Sequence, residues 1–220
     1  MGGVRHTGQP SWRLSVSSPF GLYIGLYVRE AAGLRPPAAV DLPALDPPVE
    51  LRADLVALAV PAAAQQWAAW WDRELARQEG PERGFFSPDA RFGDGAELDA
   101  LVRACMPDAA RWASAARDDR RPEPTPHGER DAAGRPRAGA YRTDDWSPPV
   151  PVGTESALVR TVEAELGRKA RAFDLTITQL PLAAPVGWRP SPHHLLVSRA
   201  LRADPAAYRA WLTPILREVA

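Results

Sequence analysis

Phe173-Asp174-Leu175-Thr176-Ile177-Thr178-Gln179-Leu180, followed after a turn by His194-Leu195-Leu196-Val197-Ser198, is the stretch on which the fold turns. Phe173, Leu175 and Ile177 alternate with Asp174, Thr176 and Thr178, and such alternation sends the two sets to opposite faces of a strand. The pattern predicts a strand with one wet face. Pro181 ends it, residues 184–192 read as a turn, and residues 194–198 read as an antiparallel partner, with a helix begun by Ser191-Pro192 as the alternative.

Helical patterns flank this pair. Upstream, Thr154 can cap, Glu155 sits at the positive helix end, and Leu158, Val162 and Leu166 recur every four residues. Arg168, Lys169 and Arg171 complement the negative end. Downstream, Asp204-Pro205 predicts a capped helix with Tyr208, Trp211, Leu212, Ile215, Leu216 and Val219 on one side, kinked at Pro214.

Further out, Trp12, Leu14 and Val16 alternate with Arg13, Ser15 and Ser17, predicting a half-buried strand. Residues 19–32 predict a helix stopped by Gly33; their Tyr and Ile content and two internal glycines keep a strand open as the alternative. Gly21 and Gly25, four apart, would let a neighbour approach closely. In 51–117, Trp67, Trp70, Trp71 and Leu75 form a helical stripe that Gly80-Pro81 ends, and Pro61 separates or kinks residues 51–60. Asp94 and Glu97 form a capping box for a helix that Pro107 breaks and Asp108 restarts.

Two stretches resist this pattern. Residues 34–50, with five prolines, read as a surface connector. Residues 118–153 hold seven prolines, four glycines, six arginines and seven acids, with too little apolar surface to offset the entropy of ordering. The expected architecture is α+β: helices packed on one face of a small antiparallel sheet. Residues 1–117 and 154–220 together form one domain, and 118–153 is a long disordered insertion.

Composition narrows the function. The 220 residues carry 27 basic and 27 acidic side chains, so no strong field gathers nucleic acid or anionic lipid. Only residues 154–220 are positive, by three, and their arginines form no stripe, which argues against nucleic acid as partner. Lys169 is the only lysine; the richness in Arg and Ala reads as the coding bias of a GC-rich bacterial genome. Lacking Gly-Lys-Ser/Thr, the chain has no P-loop, and dinucleotide, serine-hydrolase and zincin signatures are missing as well. A single cysteine, Cys105, allows no intramolecular disulfide and no cysteine-based zinc cluster, and it reads as a buried, inert thiol. No apolar run is long enough to span a bilayer, and the polar start lacks a secretory signal, so a cytoplasmic protein without membrane partner, metal or cofactor is expected.

Three groups of residues invite a function. His193 or His194 could act as a general base if Asp174, from the neighbouring strand, oriented its imidazole, which would make the chain a hydrolase or transferase. The acids Asp89, Asp94, Glu97 and Asp99 do not follow the spacing of a calcium loop and read as capping residues. Trp67, Trp70 and Trp71 read first as core packing, yet they bring more indole surface to about one turn than most cores use; if one is exposed, it is an anchor for another protein. The leading expectation is therefore a non-catalytic accessory protein that binds another protein, with the His/Asp enzyme as the alternative.

Overall fold

The strand patterns do pair, and they do so around β3 (Phe173–Leu180) in a five-stranded sheet of order β1-β2-β3-β5-β4. The structure is a computed structural model that describes residues 5–9, 12–36, 42–79, 95–117 and 154–220. The proposed insertion 118–153 lies outside these residues, as do Asp89 and Asp94. The fold is α+β. β1 (Arg5–Gln9) runs antiparallel to β2 (Trp12–Ser17). β2 and β5 (His194–Ser198) both run parallel to β3, and β4 (Gly187–Ser191) pairs antiparallel with β5 on the outer edge.

The sheet is thus mixed where an antiparallel one was expected. The reason is β4, which lies within residues 184–192, the stretch that reads as a turn in the sequence. A proline is tolerated on an edge strand, where its missing N–H leaves no ladder bond broken. With one extra strand between them, β5 returns parallel to β3.

The expected single helical layer is also corrected, because helices cover both faces. On one side, Trp12, Leu14, Leu175, Ile177, Leu195 and Val197 pack with α5 (Thr154–Leu166) and α7 (Pro205–Val219) through Leu158, Val162, Tyr208, Leu212 and Leu216. On the other, Leu180 and Leu196 join a larger core built by α1 (Phe20–Ala31), α3 (Pro61–Glu79) and α4 (Ala96–Arg117). Every residue from Gly21 to Arg29 is buried, and a helix that is apolar all round belongs in a core, which settles 19–32 as helix. Gly33 stops it with φ +61°.

Local signals work as anticipated at several ends. Asp204 accepts from the backbone N–H groups of Ala206 and Ala207 at 2.9 and 3.0 Å, capping α7, which then runs through Pro214 to Val219. Pro61 separates a short α2 (Ala53–Leu58) from α3. α4, however, continues through Pro107. Leu98, Leu101, Val102, Cys105, Ala109, Ala113 and Ala116 form one buried stripe across it, while Pro107 and Arg103, whose carbonyl loses its N–H donor, face solvent. The N–H of Leu98 in its first turn is met from α3, by Gln66 Oε1 at 2.9 Å. A short α6 (Arg199–Ala203) follows β5 directly, capped by Ser198 Oγ, which accepts from Leu201 N at 2.9 Å. The proline-rich connector is partly built into the fold. Leu45 is buried, Asp46 N donates to Pro181 O, and Trp112 Nε1 donates to Pro47 O.

Candidate functional site

Ser15, Thr176 and His194 occupy one row across β2, β3 and β5 by register, and all three are buried beneath the α1–α3 layer. The face expected to be wet is dry: Thr176 and Thr178 are 3% and 0% exposed. A polar face can be covered when its groups find partners inside, which holds here for all but one nitrogen of His194. Thr178 Oγ1 and His194 Nε2 lie 2.9 Å apart. His194 Nδ1 faces Glu79 Oε1 at 3.6 Å, beyond hydrogen-bond range. The other oxygen of Glu79 accepts from Ser191 Oγ at 2.8 Å. Glu79, the last residue of α3, therefore reaches both β4 and β5.

Burial pushes the His194 imidazole below its ordinary pKa, against the opposing pull of the Glu79 carboxylate. A neutral ring is the form this site holds near pH 7. Its Nδ1 is buried and has no hydrogen-bond partner. Nearby on α3, Glu74 accepts from Gln78 Nε2 at 2.9 Å and Arg77 at 2.8 Å, and burial raises its carboxyl pKa despite both donors.

Asp174 is not part of this group. It pairs with Arg13, its Cα partner on β2, through Nε at 3.0 Å and through the terminal nitrogen. His194 is instead registered with Thr176, two residues or about 7 Å along β3. His193 sits exposed in the β4–β5 turn, its N–H directed at Ser191 Oγ at 3.2 Å. The structure thus retains His194 as a chemically distinctive group but brings it to Glu79 and Thr178 rather than to Asp174. One signal could have pointed to Glu79: a carboxylate closing a helix stands at the negative end of the dipole, and such a placement asks for a partner elsewhere.

The three indoles are core. Trp67, Trp70 and Trp71 are 3%, 6% and 3% exposed, with Trp67 stacked on Trp71 at 5.1 Å. Trp67 Nε1 donates to Gly25 O at 2.7 Å, and the Arg29 guanidinium lies 5.7 Å from the Trp67 ring centroid. The Trp70 ring fills the space above Gly25, the close approach suggested for the α1 glycines. So placed, none of the three offers a partner free surface.

Behind the sheet a second polar group ties helices to β3. Arg202 donates to Gln179 Oε1 and Glu155 Oε1, each at 2.7 Å, and Tyr208 Oη donates to Glu155 Oε1 at 3.1 Å. All are buried except Arg202, whose side chain is 17% exposed. The bonds are internally complete apart from Arg202 Nε, and the group reads as a clasp joining α5, α6, α7 and β3.

Unpartnered aliphatic surface lies elsewhere. Leu51, Val56, Leu58 and Val60 are 64%, 46%, 50% and 43% exposed, all on α2 and its flanks. Beside them Arg52 bonds Asp54 and Asp108, each at 2.6 Å, and Arg111 also pairs with Asp108. Among the described residues no three His, Cys, Asp or Glu side chains are grouped to hold a metal ion, and no helix is long and apolar enough to cross a membrane. Compared with known proteins, the chain matches no family model, no curated protein and no solved structure.

Proposed function

We propose that this chain is a non-catalytic protein-interaction protein whose docking face is the aliphatic surface around α2, in place of the buried Trp stripe. The observation that carries the reading is the concentration of exposed Leu51, Val56, Leu58 and Val60 within ten residues, while the rest of the described fold buries its large apolar side chains almost throughout. Exposed aliphatics scattered singly mean little, whereas four within one ten-residue stretch invite a contact. Each such side chain covered by a partner contributes about 1.5–3 kcal/mol. The test compares the tagged native chain with Leu58→Glu in the cell that produces it. A protein bound in stoichiometric amount by the native chain and lost by the variant supports the proposal. Identical sets of bound proteins refute it.

A hydrolase or transferase is the second reading, favoured by the order Thr178–His194–Glu79, which resembles hydroxyl, base and orienting acid. Since Thr178 and His194 are both fully buried, this reading requires the site to open. Loss of any turnover in His194→Gln, with retained folding, would favour it over the first.

A further inference from the structure

The His194 ring sits in a site built for one proton and not for two. Thr178 Oγ1 lies 2.9 Å from Nε2, and among the described residues the ring is the only hydrogen-bond partner of that hydroxyl. Because Thr178 is fully buried, its O–H donates to Nε2, which leaves the ring proton on Nδ1, aimed at Glu79 Oε1 3.6 Å away. A second proton makes both ring nitrogens donors. Nε2–H then takes a lone pair of Thr178 Oγ1, and the threonine hydrogen loses the only acceptor it has. The new positive charge is fully buried, and the carboxylate beside it stands beyond hydrogen-bond reach. A buried donor without an acceptor and a buried charge without a close partner both oppose proton uptake in the closed fold.

The surroundings of the ring do not offset this. Glu79, from α3, is the charged group whose field acts on it. β2 and β3 contribute Ser15, Thr176 and Thr178, and β4 contributes Ser191, all neutral. Arg189 of β4 is drawn to Ser191 O, Pro192 O and Glu218, Glu74 of α3 is held by Arg77 and Gln78, and His193 is exposed in the turn. The two ends of the contact are also the parts of the fold that open most readily. Glu79 is the last residue of α3, and its side chain is 32% exposed. Ser191, which donates to its other oxygen, ends the edge strand β4, whose pairing slips between Trp188 and Ser191. Helix ends and irregular edge strands open locally at free energies well below that of global unfolding. His194 is therefore covered by a helix end that can lift while the sheet beneath it stays paired.

We infer that Ser191, Glu79 and His194 form a proton-controlled latch: uptake of a second proton by His194 detaches the last turn of α3 from the β4–β5 edge while the rest of the fold stays closed. Water then reaches the ring and the Thr178 hydroxyl, which the enzymatic reading needs, although the latch operates without any turnover. Native-state hydrogen exchange of the full chain at about pH 7.5 and about pH 5, corrected for the intrinsic pH dependence of exchange, tests it. At the lower pH a solvated imidazole of pKa about 6.5 favours the open form by up to about thirtyfold over a closed form that takes no proton. Protection of the amides within residues 76–79 and 188–194 should therefore fall about ten- to thirtyfold, against less than about twofold in α5, α7 and β2. His194→Gln should abolish the fall, and His193→Gln, at the exposed neighbour, should leave it in place. Unchanged protection at 76–79 and 188–194 overturns the inference, as does a fall spread evenly over the whole fold, which is global destabilisation alone. Both results are read in the native chain, so the test holds even where His194→Gln does not fold. A fall that persists in a folded His194→Gln, or that vanishes in His193→Gln, overturns it as well.

Discussion

Gly25→Ala should destabilise this protein, although alanine is the better helix former. The gain from replacing a mid-helix glycine is about 0.5–1 kcal/mol. Against it stands the Trp70 ring: a Cβ at position 25 would lie 2.1 Å from Cζ3 and 2.3 Å from Cη2, where ordinary contact needs well over 3 Å. That ring cannot swing away. It is 6% exposed and held among Trp67 and Trp71, with ring centroids 6.4 and 6.3 Å away. To make room, α1 and α3 must separate by close to an ångström, which strains the Trp67 Nε1 to Gly25 O bond of 2.7 Å. Overpacking of a well-filled core costs about 1–3 kcal/mol, and a weakened buried hydrogen bond adds about 1. The net loss is about 2 kcal/mol, or about 4–8 °C in Tm for a chain of this size. Urea unfolding followed by circular dichroism measures it. Trp70→Leu removes the clashing atoms, so Gly25→Ala in that background should cost far less than in the native chain, and the double-mutant cycle should show coupling above 1 kcal/mol. A Gly25→Ala protein as stable as the native one would refute the packing described between α1 and α3.

Further outcomes follow from the polar groups. Arg202→Met strands the buried Glu155 and Gln179 oxygens and should cost about 3 kcal/mol, whereas Tyr208→Phe removes one hydrogen bond and should cost about 1; equal effects in urea would contradict the clasp. His194 has a lowered pKa when folded, so below its unfolded value of about 6.5 the unfolded chain binds the extra proton. The stability it confers is full above that pH and lost as pH falls through it toward the folded pKa. Glu74, with a raised pKa, acts in the opposite sense as pH rises from the ordinary carboxyl range, so the native-minus-His194→Gln difference in urea midpoint isolates the histidine and should shrink from pH 8 to pH 5. Cys105 is fully buried, and its thiol is pushed up to about 11, so a thiol reagent at pH 8 should label it only as fast as the protein unfolds. Rapid labelling of the native state would contradict its place in α4.

Elements with their own local punctuation were legible. Thr154–Leu166, Phe173–Leu180 and Pro205–Val219 combine a clear period with recognisable ends, and the α+β class followed from them. Sheet direction was not legible, because alternation reports which face a side chain occupies and says nothing of the neighbouring strand's direction. One overlooked edge strand was enough to reverse the expected pairing of β5. Thr176 and Thr178 read as solvent-facing because a hydroxyl looks the same in sequence whether water or His194 meets it. His194 stood out as a candidate, but Glu79 lies 115 positions earlier and reaches it only through packing. The Trp stripe was visible as a hydrophobic face; its burial depended on Gly25 receiving Trp70, a fit between two helices that periodicity within one cannot report.

β4 has a consequence for the protein's solubility. Its pairing with β5 slips between Trp188 and Ser191, Pro190 supplies no amide proton, and the Arg189 side chain is tied to Ser191 O, Pro192 O and Glu218. Such an outer border is a poor template for another β-ribbon. Ribbon-by-ribbon growth into fibres is obstructed on that flank, and replacing Pro190 with a β-branched residue would remove one of the obstacles.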